Sequence, residues 1–187
     1  MRKIILATLV MFALSSCKKE TQKTEAETKA SDSLSTTEKP ASESTAFTSP
    51  ELSPEKLGQY LAKNNDTLYV TNFFATWCGP CMKEIPHFKN KMAELKGKPV
   101  KFTFVDMDEK SEWNGAVKKF ADENGLAQNI VLLDGKKLDQ NFFKTNFKQW
   151  DGGSIPFTHM RKGDKTDEVL GMMTEEVLNS KINSLLK

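Results

Sequence analysis

Residues 67–95 of this 187-residue chain set a strand, a turn and a helix around two cysteines, a combination that few folds accommodate. Thr67–Ala75 (TLYVTNFFA) is rich in β-branched and aromatic residues, which predicts a buried strand. Gly79–Leu95 has helical spacing and contains Pro86, which predicts a kink. Between them lies Trp77-Cys78-Gly79-Pro80-Cys81. Cys78 therefore falls at a helix N-terminus, where unpaired backbone N–H groups and the positive end of the helix dipole lower a thiol's pKa. Cys81 follows one turn later on the same face, within reach of the Cys78 sulfur and expected to be the more buried. That pairing suits a nucleophile and a resolving thiol. Gly79 adds little bulk, and Pro80 is tolerated in a first turn that needs no N–H from it.

Strands and helices alternate through the rest of residues 51–187. Ser53-Pro54-Glu55 opens a helix with Leu57, Tyr60 and Leu61 as its apolar stripe, and Asn64-Asn65-Asp66 breaks it. Val100–Asp106 alternates like a strand, and Glu112–Asn124 returns to helical spacing. Asn129–Leu133 predicts a short strand and Lys137–Phe147 a helix. Ile155–Arg161 and Glu168–Leu170 predict two strands about a Lys162-Gly163-Asp164 turn, and Thr174 opens a last helix. Such alternation predicts an α/β domain with a central sheet flanked by helices, and the final hairpin makes that sheet mixed.

The N-terminal fifty residues have a different character. Arg2-Lys3, eleven mostly apolar residues from Ile4 to Leu14, and Ser15-Ser16 before Cys17 have the layout of a secretory signal, here 1–16. The apolar run is too short to span a bilayer, which takes about 20 apolar residues. Leu14-Ser15-Ser16-Cys17 resembles the bacterial lipobox, which implies lipidation at Cys17 and a stable membrane tether. Lys18 in place of Asp after that cysteine leans, by resemblance, toward an outer-membrane, periplasm-facing location. Lys18–Pro50 holds only Leu34 and Phe47 as large apolar residues, so 17–50 is expected to be a disordered linker with a span of roughly 30 Å. Net charge is +2, and removing Arg2 and Lys3 leaves 25 basic against 25 acidic residues. A neutral protein offers no field for nucleic acid.

Cys17, Cys78 and Cys81 are the whole cysteine set, which leaves none for a structural disulfide. A Cys-x-x-Cys pair is also half of a zinc site. Zinc needs four ligands, and His87, His159 and the acids stand at no recognisable ligand spacing, so no metal or other cofactor is expected. His87 is expected on a helix surface, His159 in a strand, and Trp113 and Trp150 in packing roles.

Thr71–Pro86 (TNFFATWCGPCMKEIP) together with Ser154-Ile155-Pro156 resembles the thioredoxin superfamily, in particular its membrane-tethered TlpA/ResA-like branch. The resemblance covers about residues 51–187. It implies a thioredoxin fold with a TlpA-like strand–helix insertion between Asp106 and Pro156. It further implies a cis Pro156 beside the cysteines, Ile155 offering its backbone to a substrate chain, Trp77 shielding the disulfide, and Glu84 tuning the thiols. Thioredoxin itself has a buried Asp six residues before its first cysteine; Asn72 stands there and cannot ionise. The activity implied is extracytoplasmic thiol–disulfide exchange through Cys78 and Cys81. Clients would be proteins carrying disulfides, apocytochromes c among them, with reducing equivalents from a membrane donor. A disulfide oxidase or isomerase and a non-catalytic redox-sensing or binding module are the alternatives. A Sco-type copper carrier is disfavoured, because that family uses a wider cysteine spacing and a partnering histidine.

Overall fold

A computed structural model describes residues 48–187; the expected signal segment, Cys17 and the linker up to residue 47 lie outside the described residues. Five strands form one mixed sheet in the order β3-β2-β1-β4-β5. β1 (Leu68–Phe74) is central, parallel to β2 (Val100–Asp106) on one side and antiparallel to β4 (Phe157–Lys162) on the other. β3 (Ile130–Leu132) extends the parallel half, and β5 (Lys165–Leu170) closes the antiparallel half.

Alternation along each strand makes two cores. On one face Leu68, Val70, Phe102, Phe104 and Met160 pack against α2 (Gly79–Glu94), α3 (Lys118–Asn124) and α5 (Glu175–Leu186). On the other, Phe73, Val105 and Phe157 meet α1 (Pro54–Leu61) and α4 (Gln140–Asn146). β1 is buried along its whole length because helices cover both its faces, which explains why its sequence is apolar without a two-residue alternation. The strand–helix segment expected between Asp106 and Pro156 is β3 with α4. Among the described residues, Ser49, Pro50 and Leu52 join the N-terminal segment to the domain. The Ser49 hydroxyl donates to Ala127 O at 3.2 Å, and the backbone of Pro50 and Leu52 pairs with Leu132 at 2.9 Å for each bond.

Several boundaries differ from expectation for local reasons. Glu112–Asn124 is not one helix. A 3₁₀ turn (Lys110–Glu112) and a wide π turn (Trp113–Val117) precede α3, and Gly115, a poor helix former, sits in the π turn. The helix expected from Lys137 starts at Gln140, because Asp134 caps a separate 3₁₀ turn and Asp139 then caps α4 by accepting from Phe142 N at 2.7 Å. β5 begins at Lys165 rather than Glu168, since a two-residue Gly163-Asp164 turn brings Lys165 opposite Lys162. Gly163 has φ +54°, which suits such a tight hairpin. Ser53 and Thr174 cap α1 and α5 as their sequences predict.

Candidate functional site

β1 ends against α2 at the two cysteines. Cys78 occupies the N-cap of α2 with extended backbone (φ −81°, ψ 100°), and its Sγ accepts from Cys81 N at 3.3 Å. Gly79 and Pro80 fill the first two helical positions, both exposed. The N–H at the third helical position is thus aimed at the Cys78 sulfur, a geometry that favours a thiolate there. Cys78 and Cys81 are joined in a disulfide with their Cα atoms 5.2 Å apart. Cys81 is fully buried and Cys78 is 4% exposed, so in the oxidised state the difference between them is small. Trp77, 71% exposed, stands beside them.

The bond between Ile155 and Pro156 is cis, and the Ile155 carbonyl oxygen lies 3.8 Å from Cys78 Sγ. This loop rests on an aromatic bed. Trp150 stacks on Phe157 at 4.5 Å between ring centroids and donates its indole N–H to Ser154 O at 2.7 Å. Gly152, with φ +86°, passes over Phe143 so closely that a Cβ would fall 2.4 Å from the ring. Pro156 O accepts from Gly171 N at 2.9 Å, tying the loop to the end of β5. Two clefts meet at Trp77. One of about 400 Å³ runs along Gly152–Ile155, and one of about 600 Å³ lies between Asp108–Ser111 and Asp134–Lys136.

Glu84, for which an exposed helical position is the common default, is fully buried. It lies three residues beyond Cys81 on the inward face of α2. Its Oε1 accepts from Asn72 Nδ2 at 2.8 Å and its Oε2 from Met173 N at 3.0 Å. Burial pushes its pKa up from 4.5 to about 7, against the pull of those two bonds and of nearby His87. Asn72 also donates to Thr158 Oγ1 at 3.0 Å, while its own Oδ1 is buried without a partner. Rotating that amide would present Oδ1 to a protonated Glu84, so the pair can hold either protonation state with a hydrogen bond between them. The position where thioredoxin has an acid thus holds an amide that supports an acid on the neighbouring helix.

Two further acids carry no motif in the sequence. Asp108, 2% exposed, accepts from Thr76 N at 2.7 Å and from Thr76 Oγ1 at 2.8 Å, which fixes the turn that delivers Trp77 and Cys78. Asp106 is fully buried beneath it. Burial above all, with the charge of neighbouring Asp108, raises the Asp106 pKa from 3.8 to about 9, so it is protonated at neutral pH; among the described residues neither of its oxygens has a hydrogen-bond partner. The signal available is two acids at alternate positions where a buried strand ends, a place that favours side-chain bonds to backbone.

His87 is half-buried on α2 with Nδ1 3.0 Å from Met173 O, and His159 is buried in β4. Among the described residues no group of three or more His, Cys, Asp or Glu could hold a metal ion. Trp113 and Trp150 are both core residues. Among the described residues no helix is long and apolar enough to cross a membrane.

Known proteins resemble this architecture in sequence and in shape. The Thioredoxin family model matches residues 49–120. The chain is 27% identical over 116 residues to "Thiol-disulfide oxidoreductase ResA" of Bacillus thuringiensis (strain Al Hakam), covering 61% of each chain. It therefore spans about three-fifths of that relative's length. With "Thioredoxin-like protein YneN" of Bacillus subtilis (strain 168) the identity is 31% over 143 residues, covering 73% of this chain and 75% of the other. A solved thiol:disulfide interchange protein of the thioredoxin family from Chlorobium tepidum TLS superposes with a TM-score of 0.56. That match covers 74% of this chain and 97% of the other at 17% identity, a likeness of fold.

Proposed function

Since this chain belongs to the thioredoxin family, we propose that it is a thiol–disulfide oxidoreductase that reduces disulfides of client proteins through Cys78 and Cys81. The observation that carries this reading is the Cys78 sulfur at the α2 N-cap, bonded by Cys81 N–H and facing the Ile155 carbonyl. In the reduced protein the Cys78 thiolate attacks one sulfur of a client disulfide, and the other client sulfur leaves as a thiolate. Cys81 then loses its proton, for which buried Glu84 is the acceptor within the fold, and attacks Cys78. The second client sulfur departs, two electrons have passed to the client, and the Cys78–Cys81 disulfide remains. A dithiol donor at the membrane restores the protein by the reverse exchange. Electrons travel through sulfur alone, so the cycle needs no bound cofactor.

Supporting residues divide by position. Gly79 and Pro80 leave the approach to Cys78 open, and Trp77 covers one side of the disulfide. Ile155, held by cis Pro156, offers backbone to an extended client segment in the cleft along Gly152–Ile155. The basic and apolar start of the chain, with Cys17 after Ser15-Ser16, supports an extracytoplasmic, lipid-anchored location. ResA-like chemistry at that location fits disulfide reduction on apocytochromes c. The test is a Cys81→Ser variant in the native envelope. Clients are expected to accumulate as mixed disulfides on Cys78. A variant that collects no Cys78-dependent adduct, joined by wild-type protein that fails to reduce insulin with dithiothreitol, would reduce the reading to a binding module.

A further inference from the structure

The sheet face under α1 and α4 carries a further cavity, away from the two clefts at Trp77 and toward the end of β4 remote from Pro156. It measures about 470 Å³, and its walls include Lys144, Lys148, His159, Arg161, Asp164 and Glu168. His159 and Arg161 are alternate residues of β4, so both point from the same face of the strand.

The hydrogen-bonding groups in this cavity are unequally used. Its two carboxylates already have partners. Glu168 Oε1 and Oε2 each accept from Lys148 N at 3.0 Å, and Oε2 also accepts from Gln149 N at 2.8 Å. Asp164 Oδ1 accepts from Asn64 Nδ2 at 2.7 Å. The donors are unclaimed. Arg161 Nε is buried without a partner. His159 is 4% exposed, and among the described residues its ring nitrogens make no hydrogen bond. Among the described residues neither Lys144, Lys148 nor Arg161 forms a salt bridge, whereas seven other lysines do. Burial keeps His159 neutral, with its pKa lowered to about 4; Glu168 pulls the other way, and Arg161 and Lys148 lower it further. The imidazole therefore supplies one N–H rather than a fourth cation.

A buried donor without an acceptor, as Arg161 Nε is, costs stability unless something satisfies it. Three cations outside any salt bridge outnumber the two carboxylates, and with the imidazole N–H they match the oxygens of a phosphate anion. A guanidinium is the group best shaped for phosphate. We infer that this cavity is a binding site for a phosphate group, held by Arg161, Lys144 and Lys148 with the His159 ring at its inner wall. Lys148 and Gln149 belong to the segment that leads into the Ser154–Pro156 loop, so an occupied site would anchor that segment from its far end. Free phosphate and a phospholipid headgroup offer the same chemistry.

Inorganic phosphate is titrated into the oxidised full-length protein while the His159 ring and Arg161 Nε signals are followed by NMR. A parallel arm uses phosphatidylglycerol vesicles, with phosphatidylcholine vesicles as reference. Saturation at one phosphate per chain is expected, with affinity lowered at least about tenfold in Arg161→Gln and partly restored in Arg161→Lys. Should Arg161→Gln disturb folding, Lys144→Gln with Lys148→Gln, at exposed positions, is expected to weaken binding similarly. Lys119→Gln on α3, across the sheet, should leave it unchanged. Phosphatidylglycerol that competes with phosphate assigns the headgroup, and phosphate binding without vesicle binding assigns the free ion. Absence of saturation by phosphate, vesicle binding that phosphate does not displace, or equal weakening in Lys119→Gln overturns the site.

Discussion

Replacing Glu84 by glutamine should change how stability depends on pH, and the size of that change follows from the burial of Glu84. A carboxyl group whose pKa rises from 4.5 to about 7 on folding keeps a proton in the native state that the unfolded chain has released. Its contribution is complete below 4.5, shrinks as pH climbs through the interval, and is level above 7. At about 1.4 kcal/mol per unit the loss is about 3 kcal/mol. The glutamine of Glu84→Gln cannot titrate, and it keeps the local bonding. Its oxygen accepts from Met173 N, and its amide donates to Asn72 Oδ1 once that side chain rotates. The stability of the variant relative to wild type should therefore climb by about 3 kcal/mol between pH 4.5 and 7 and stay flat beyond. Guanidinium unfolding of the oxidised protein at a series of pH values measures this without interference from free thiols. Asp106 and His159 contribute equally to both proteins and cancel. A wild-type-to-variant difference that is constant from pH 4.5 to 7 would refute the assignment of a neutral-range proton to Glu84.

Other substitutions test the frame around the cysteines. Asp108→Ala removes both bonds to Thr76 and is expected to cost about 2 kcal/mol in chemical denaturation, with insulin reduction slowed several-fold. Asp106→Asn abolishes a proton held from pH 3.8 to about 9, so the stability of the variant relative to wild type should grow throughout that range when followed by thermal unfolding at fixed pH values. Gly152→Ala drives a Cβ into the Phe143 ring at a backbone angle that suits glycine, and a loss of about 2–3 kcal/mol is expected from urea midpoints.

What is legible in the sequence is whatever depends on neighbours along the chain. Strand-forming residues before Trp77, helix caps at Ser53 and Thr174, and the cysteine spacing all act locally, and each has its expected place in the fold. Glu84 is ambiguous in sequence because a glutamate in a helix is usually solvated. Its burial depends on Asn72, twelve residues back, and on Met173, 89 residues ahead. Asp108 stands where a buried strand ends, but its role is hidden because its partner Thr76 lies past a different strand end, 32 positions away. The π turn at Trp113–Val117 is hidden for another reason. The helical spacing of its apolar residues looks continuous, and only the requirement to seat Trp113, whose indole donates to Asp108 O at 3.3 Å, accompanies the wider turn.

The backbone pairing of Pro50 and Leu52 with Leu132 has a practical bearing on where this domain begins. β3 is the outermost strand on its side, and a bare outer strand is a template for pairing with other molecules. The few residues ahead of α1 occupy that template in place of a neighbour. A recombinant version trimmed at Ser53 would keep all five strands and both cysteines yet leave Leu132 open to self-association, whereas one that starts at Thr48 would not.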